Sequence, residues 1–254
     1  MTMPGSAQRF ESRAAPYARY RATYPAALIA HLAAAQGWRA GRTVADVGSG
    51  TGIFTRLVLE RGPRVLALEP GAAMRAQAER GLAAFPGFVS VDATAEATTL
   101  PGASVDAIVC AQAFHWFNHE RTRAEWRRIL RPGGEAALVW NLLDDRDAMT
   151  RDYLELIYAA SPDARGVIAS SADGAWRNVL FDGRRGRIVE FPQEQPLDLD
   201  GLIGRTESVS YAPKAGTPAH AELMAGLRGI FRRDEREGCV RLVYRSVAVH
   251  GPLE

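Results

Sequence analysis

An open α/β sheet, mainly parallel and covered by helices on both faces, is the fold class this chain predicts. Three observations carry it. Between residues 43 and 141, short apolar runs of strand character alternate with helix-like segments. Residues 44–52 read VADVGSGTG, an apolar run that breaks into three alternate glycines and leads straight into a helix-like stretch. Residues 132–134 read PGG, which ends a helix and turns the chain into a strand, since proline cannot continue a helix and glycine serves the turn.

Taken in order, strands are expected at 43–47, 64–69, 88–91, 105–110 and 135–141. Helices are expected between them at 53–60, 72–84 and 119–130. After residue 141 the pattern changes. Residues 149–160 read as a helix, 161–183 as turn-rich and 187–191 as a strand. Two helical regions follow, around 197–207 and 218–233, and 240–249 reads as a last strand. The GRRGR stretch at 183–187 reads as a hairpin turn, and RRDERE at 232–237 as a solvated helix end.

A length of 254 residues suits one large domain, or a core with a modest cap. With 47% hydrophobic and 24% charged residues, the composition is that of an ordinary globular protein rather than a disordered one. A net charge of +2 argues against a dedicated nucleic-acid binder. Lys214 is the one lysine, so mechanisms that need a second lysine are excluded. Cys110 and Cys239 stand apart without metal-ligand spacing, which suggests neither a zinc site nor a disulfide framework. No signal-peptide core occurs in residues 1–25, and the apolar run at 26–35 is too short to span a membrane. A reduced, cytoplasmic protein is expected, acting as monomer or homodimer without nucleic-acid or membrane partners.

Glycines at the end of a strand let a ligand approach bare backbone, and the start of the next helix offers unpaired N–H groups. The spacing Gly48-x-Gly50-x-Gly52 is not the dinucleotide G-x-G-x-x-G, because Ile53 stands where the third glycine belongs. Asp46 precedes the glycines and would repel a pyrophosphate, whereas it suits a ligand with a positive group. No lysine follows the loop, as a P-loop requires, and no G-x-S-x-G elbow is present.

VADVGSGTG resembles the first motif of class I S-adenosylmethionine-dependent methyltransferases, and three further segments follow in that family's order. LALEP (66–70) places Glu69 at the end of the second strand, VDATAE (91–96) follows the third, and LPGASVDAIVCAQAFHWF (100–117) with ILRPGG (129–134) covers the fourth and the turn into the fifth. AQAFHWF with RPGG is similar to the type-11, UbiE-like small-molecule branch. Tyr17-x-x-x-Arg21-x-x-Tyr24-Pro25 is similar to the entry segment of trans-aconitate-methyltransferase-like members, with Ala22 in place of their proline.

The resemblance implies a Rossmann-like, doubly wound sheet of seven strands, mostly parallel, with an antiparallel last strand and a small helical cap. It implies one domain over 1–254: an N-terminal helical lid at 1–36, a cofactor-binding core at 37–141 and substrate-cap insertions at 142–185 and 192–238. The implied cofactor is S-adenosylmethionine, leaving as S-adenosylhomocysteine, with no metal. Asp46, Gly48, Ser49, Gly50 and Gly52 would surround the methionine part, and Glu69, with Pro70 and Met74 nearby, would accept the ribose hydroxyls. Asp92 with Ala93 takes the adenine position, although alignment on Glu96 would move that site along the chain. Gln112 and Ala113 would sit beside the sulfonium, and Tyr17 and Arg21 in the lid, where a guanidinium suits the cofactor's carboxylate.

For the acceptor side, Phe114, Trp116, Tyr153, Trp176, Arg205 and Tyr211 are the candidates, with Phe117 as a further aromatic wall. His115 reads either as a general base, since its ordinary pKa is near neutral, or as a packing histidine. The expected reaction is in-line displacement of methyl onto a small molecule, in metabolism or natural-product biosynthesis. Two other classes predict different features. An NAD-dependent oxidoreductase calls for G-x-G-x-x-G and a Tyr-x-x-x-Lys pair, both missing from the sequence. A non-catalytic adenosyl-ligand-binding module would keep the cofactor motifs without an acceptor cavity.

Overall fold

The computed structural model describes residues 19–162, 164–166, 168, 180–181, 186–209 and 211–253. Tyr17, Trp176 and most of the 183–187 turn lie outside the described residues. The elements are α1 (Ala26–Gln36), β1 (Thr43–Val47), α2 (Ile53–Leu59), β2 (Arg64–Leu68), α3 (Ala72–Leu82), β3 (Phe88–Val91) and β4 (Val105–Ala111). A single 3₁₀ turn at Phe114–Trp116 leads into α4 (His119–Ile129) and β5 (Leu130–Leu143). Then come α5 (Ala148–Ala160), β6 (Arg187–Leu197), α6 (Leu199–Glu207), α7 (Pro218–Asp234) and β7 (Val240–Pro252).

Seven strands form one sheet in the order β3-β2-β1-β4-β5-β7-β6. Pairs from β3 to β5 are parallel, and β7 runs antiparallel to both β5 and β6. The expected fold class is therefore the observed one. β1 shows why its sequence is apolar without a gap: Ala45 and Val47 enter the core on one face, Val44 the core on the other. The first core holds Leu66, Ile108, Leu138 and Trp140 against Trp126 and Ile129 of α4. The second holds Val65, Val109 and Val139 against Leu28 and Leu32 of α1 and Phe54 and Val58 of α2.

Two expectations need correction. α1 buries Leu28, Ile29 and Leu32 against the sheet, so this part of the expected 1–36 lid is a covering helix of the core. β6 continues to Leu197, past the point where an insertion was expected to start at 192. Pro192 and Pro196 do not end it, because β6 is an edge strand, where a missing N–H on the open side costs no ladder bond. The second cap insertion thus begins at Asp198, and the cap helices have a separate core: Tyr153 and Ile157 of α5, Leu202 of α6, and Leu223 and Leu227 of α7, packed on Leu242 and Tyr244 of β7.

β5 also begins earlier than expected, with Pro132–Gly134 inside it and a register shift opposite Val105 and Ala107. A side chain at Gly134 would stand 2.7 Å from the Asp106 carbonyl, so only glycine fits this close approach. Asp106 ties this end of the sheet. Its carboxylate accepts from the Thr43 N–H (2.8 Å) and pairs with Arg42 (2.7 Å) and Arg131 (2.9 Å). Burial would raise its pKa, but these bonds outweigh it and hold the group below the usual carboxylate range.

Candidate active site

Connections leave β1 and β4 in opposite directions along the sheet, so a crevice opens beyond their carboxyl ends, the place where open α/β sheets bind ligands. The glycine loop forms its floor. Gly48, Gly50 and Gly52 have φ of 72°, 56° and 84°, the left-handed region that other residues enter at a cost. Their surroundings differ. A Cβ on Gly48 would lie 2.6 Å from that of Ala113, and one on Gly52 would lie 2.7 Å from Leu82. Around Gly50 nothing lies within 4 Å. Two of the glycines thus answer to packing, and the third turns its bare side to open space.

Three oxygens in this loop are buried without a hydrogen-bond partner: Asp46 Oδ1, Ser49 Oγ and Thr51 Oγ1. All three residues line the cleft. Buried polar atoms are nearly always satisfied, so a cluster of orphans facing a cavity is a pointer to a bound group. The other oxygen of Asp46 accepts from Thr55 Oγ1 at 2.6 Å. Burial, with the Glu69 carboxylate nearby and against the Thr55 bond, pushes the Asp46 pKa up to about 7.

Glu69 lies one residue past β2. Its two carboxylate oxygens accept from the Gly50 N–H (3.0 Å) and the Gly71 N–H (2.8 Å), which fixes the side chain beside the loop. Burial raises its pKa against the effect of those two bonds. Each oxygen keeps a second lone pair for an incoming hydroxyl. Arg75 braces this corner, donating to the carbonyls of Glu69 and Pro70 and pairing with Asp92 at 2.8 Å. Asp92 is exposed, and Ala93 next to it is buried. Glu96 has a different duty, since it accepts from the Asn118 N–H at 2.7 Å and so anchors the start of α4.

Arg21, Gln112 and Arg205 line the cleft as well, with Tyr24 of the entry motif, joined by residues that the sequence did not single out: Asn141 and Tyr244. Gln112, at the end of β4, has φ of 59°, unusual for a residue with a side chain and typical of the strain found at functional sites. Asn141 of β5 donates to the Thr23 carbonyl (2.8 Å) and accepts from Ser246 Oγ (2.6 Å). Gln193 and Gln195 of β6 donate to the carbonyls of Thr23 and Tyr20 (2.8 and 2.9 Å). The segment before α1 is therefore strapped across the sheet's far edge. Tyr20 lies on Gly204 of α6, where a Cβ would come within 3 Å of the ring. The one sequence signal for Asn141 was its position, a polar residue closing the apolar run LVW.

Several expected site residues lie elsewhere. Phe114 is fully buried, stacked on His119 and packed against Trp126 in the core under the 3₁₀ turn. His115 packs against Trp116 away from the cleft lining, with its Nδ1 buried and unpaired. Burial, with His119 alongside, pushes its pKa down to about 4, so it is neutral and weakly basic at pH 7. A general base works best with a pKa near the working pH, and His115 does not meet that condition. Ala113 and Phe117 back Gly48 rather than facing the cavity. Met74 is buried behind Gly71, and Tyr153 is buried in the cap. Tyr211 is half-buried and joins the cap core. Cys110 is buried at the end of β4 with its thiol pKa pushed up by burial and by Asp46, which leaves it inert.

A family model described as a methyltransferase domain matches residues 45–138, the glycine loop through β5. A solved structure from Anaeromyxobacter dehalogenans, described as a candidate type II methyltransferase, is 30% identical, covers 92% of this chain and 98% of its own, and superposes with a TM-score of 0.69. The chain belongs to the methyltransferases. An uncharacterized methyltransferase of Mycobacterium tuberculosis is 40% identical over 148 residues, and that match spans 58% of each chain. A methyltransferase-like protein of Schizosaccharomyces pombe is 28% identical over 218 residues, 83% of this chain and 82% of its own. For this methyltransferase no described helix is long and apolar enough to cross a membrane, and the described residues hold no cluster of side chains that could bind a metal ion.

Proposed function

We propose that this methyltransferase moves a methyl group from S-adenosylmethionine to a small-molecule acceptor. The observation that carries the reading is the trio of unpaired buried oxygens on Asp46, Ser49 and Thr51, whose residues line the cleft together with Gly50, the residue that fixes the Glu69 carboxylate through its N–H. That set fits the cofactor. Asp46 suits an ammonium group, Glu69 a pair of vicinal hydroxyls, and the loop backbone a close approach. Asp92 and Ala93 stand next along the sheet for the adenine, and Arg21 on the strap for the carboxylate. The bound cofactor supplies an electrophilic methyl on a sulfonium.

The chain's own residues would then position rather than react. Gln112, held by its bond to the Asn141 carbonyl (3.3 Å), marks the end of β4 beside which the acceptor must come. Holding two reactants in line can supply on the order of 7–11 kcal/mol of the barrier. Residues 37–141 act as the cofactor-binding part, and the helices after β5 as the acceptor cap. Calorimetry with S-adenosylmethionine, S-adenosylhomocysteine and NAD⁺ tests the reading. Binding of the first two alone supports it, and binding of NAD⁺ alone, or of none, overturns it.

A further inference from the structure

We infer that the acceptor carries a carboxylate, and that Arg205 is the residue that anchors it. The inference rests on the methyl-transfer reading above and names the substrate class for that same cleft.

Arg205 is only 5% exposed, yet it lines the cleft. Its Nε donates to Tyr244 Oη (3.2 Å) and its Nη1 to Tyr153 Oη (3.3 Å). No hydrogen bond among the described residues uses Nη2, and no carboxylate among them pairs with this guanidinium. Asp106, another buried charge, has two arginines. Arg205 also lies over the Tyr153 ring (5.6 Å), so tyrosines offset part of its burial. A guanidinium cannot shed its proton, however, and an anionic ligand would supply the counter-ion that the described residues do not. Tyr153 is itself tied to Thr206 (3.1 Å) and Tyr244 to Gln195 (2.8 Å), so the fork is held in one orientation before any ligand arrives. A planar fork with one positive charge matches a carboxylate, whereas a phosphate dianion calls for more positive charge.

Position separates this site from the cofactor's carboxylate. Tyr244 is on β7, three strand spacings and about 14 Å from the glycine-loop strand β1. The adenosyl side of the crevice runs the other way, over β2 and β3. Arg21 lines the same cleft, and the proposed function gives it the cofactor's acid group. Two arginines thus face two anions. The anchored carboxylate holds the acceptor from its far end, and a different atom of the acceptor receives the methyl.

The test uses protein saturated with S-adenosylhomocysteine, titrated in the calorimeter with benzoate and succinate and with their amides. At least one carboxylate should bind tenfold or more tightly than its amide. Arg205→Met should abolish that preference while changing the S-adenosylhomocysteine affinity less than twofold, and Arg205→Lys should fall between. The lysine variant and the wild-type preference serve if the methionine variant does not fold. Equal binding of acids and amides, or no binding of either at millimolar concentration, overturns the proposal. So does a loss of S-adenosylhomocysteine affinity in Arg205→Met with 5′-methylthioadenosine affinity unchanged, which would assign Arg205 to the cofactor. Failure of S-adenosylhomocysteine to bind the wild type would instead sink the methyltransferase reading itself.

Discussion

On the β1–β2–β3 side, the cleft is made from backbone: glycines in left-handed conformations, amides of Gly50 and Gly71, and two acids held beside them. On the β5–β7–β6 side it is made from side chains that reach in from the strap, β5, β7 and α6. The helix starts repeat the contrast. α2 and α3 start on Gly52 and Gly71 with no side-chain cap, as does α1 on Pro25. α4, α5, α6 and α7 start on Asn118, Asp147, Asp198 and Thr217, each of which accepts from an N–H of the first turn. The glycine side spends local stability on access. The cap side caps its own helices, and among the described residues Arg205 has no carboxylate partner.

The largest test of this contrast is Glu69→Ala. If the two sides are functionally distinct, S-adenosylhomocysteine affinity should fall about 100-fold through the loss of two charge-assisted hydrogen bonds. The melting temperature should move by only a few degrees. Equal affinity in the variant would break the ribose assignment.

Next comes Gly52→Val, which forces a branched side chain into a left-handed φ and against Leu82 at 2.7 Å. Destabilisation of about 2–4 kcal/mol is expected in denaturant titration. The same change at Gly50 should cost about half as much in stability, because the space there is open. It should cost more in cofactor affinity than the Gly52 change. Equal profiles for the two would remove the distinction between a packing glycine and a ligand-facing one.

These positions also show what could be read without coordinates. A backbone site writes itself into consecutive residues: the glycines, Glu69 after an apolar run, and the strand-helix alternation all sit in short windows. The cap side does not. Arg205 is an acceptor candidate in the sequence, but Asn141 and Tyr244 join it through the antiparallel pairing of β5 and β7 and through α6, and no spacing links the three. The aromatic stretch Phe114–Phe117 misled for a related reason, because the 3₁₀ turn rotates Phe114 into the core and His115 off the cleft. β6 ran past its expected end since only the sheet order reveals an edge that tolerates proline.

Tyr244→Phe probes the cap side alone. It removes the oxygen that joins Arg205 to Gln195 and should cost about 1–2 kcal/mol of stability, with S-adenosylhomocysteine affinity unchanged. A drop in that affinity would show the two sides to be one unit.

The smallest effect is a proton count. The Asp46 pKa is raised to about 7, so the folded state holds a proton that the unfolded state has lost, and stability should decline as pH rises from about 4 through about 7. Asp46→Asn should flatten that decline. An ammonium beside Asp46 would favour its ionised form, so binding of S-adenosylhomocysteine at pH 6.5 should release up to one proton. Calorimetry in buffers of different ionisation enthalpy would detect the release, and Asp46→Asn should abolish it.

The prolines of β6 have a consequence for how copies of this molecule meet. Pro192 and Pro196 are four residues apart, so their missing N–H groups fall on the same side of a strand whose other side is bonded to β7. Glu190 and Glu194 add charge along the same border, and the opposite border, β3, is four residues long. A neighbouring chain finds little template for strand addition at either margin. Copies that associate are then expected to meet through surfaces other than these two strand edges.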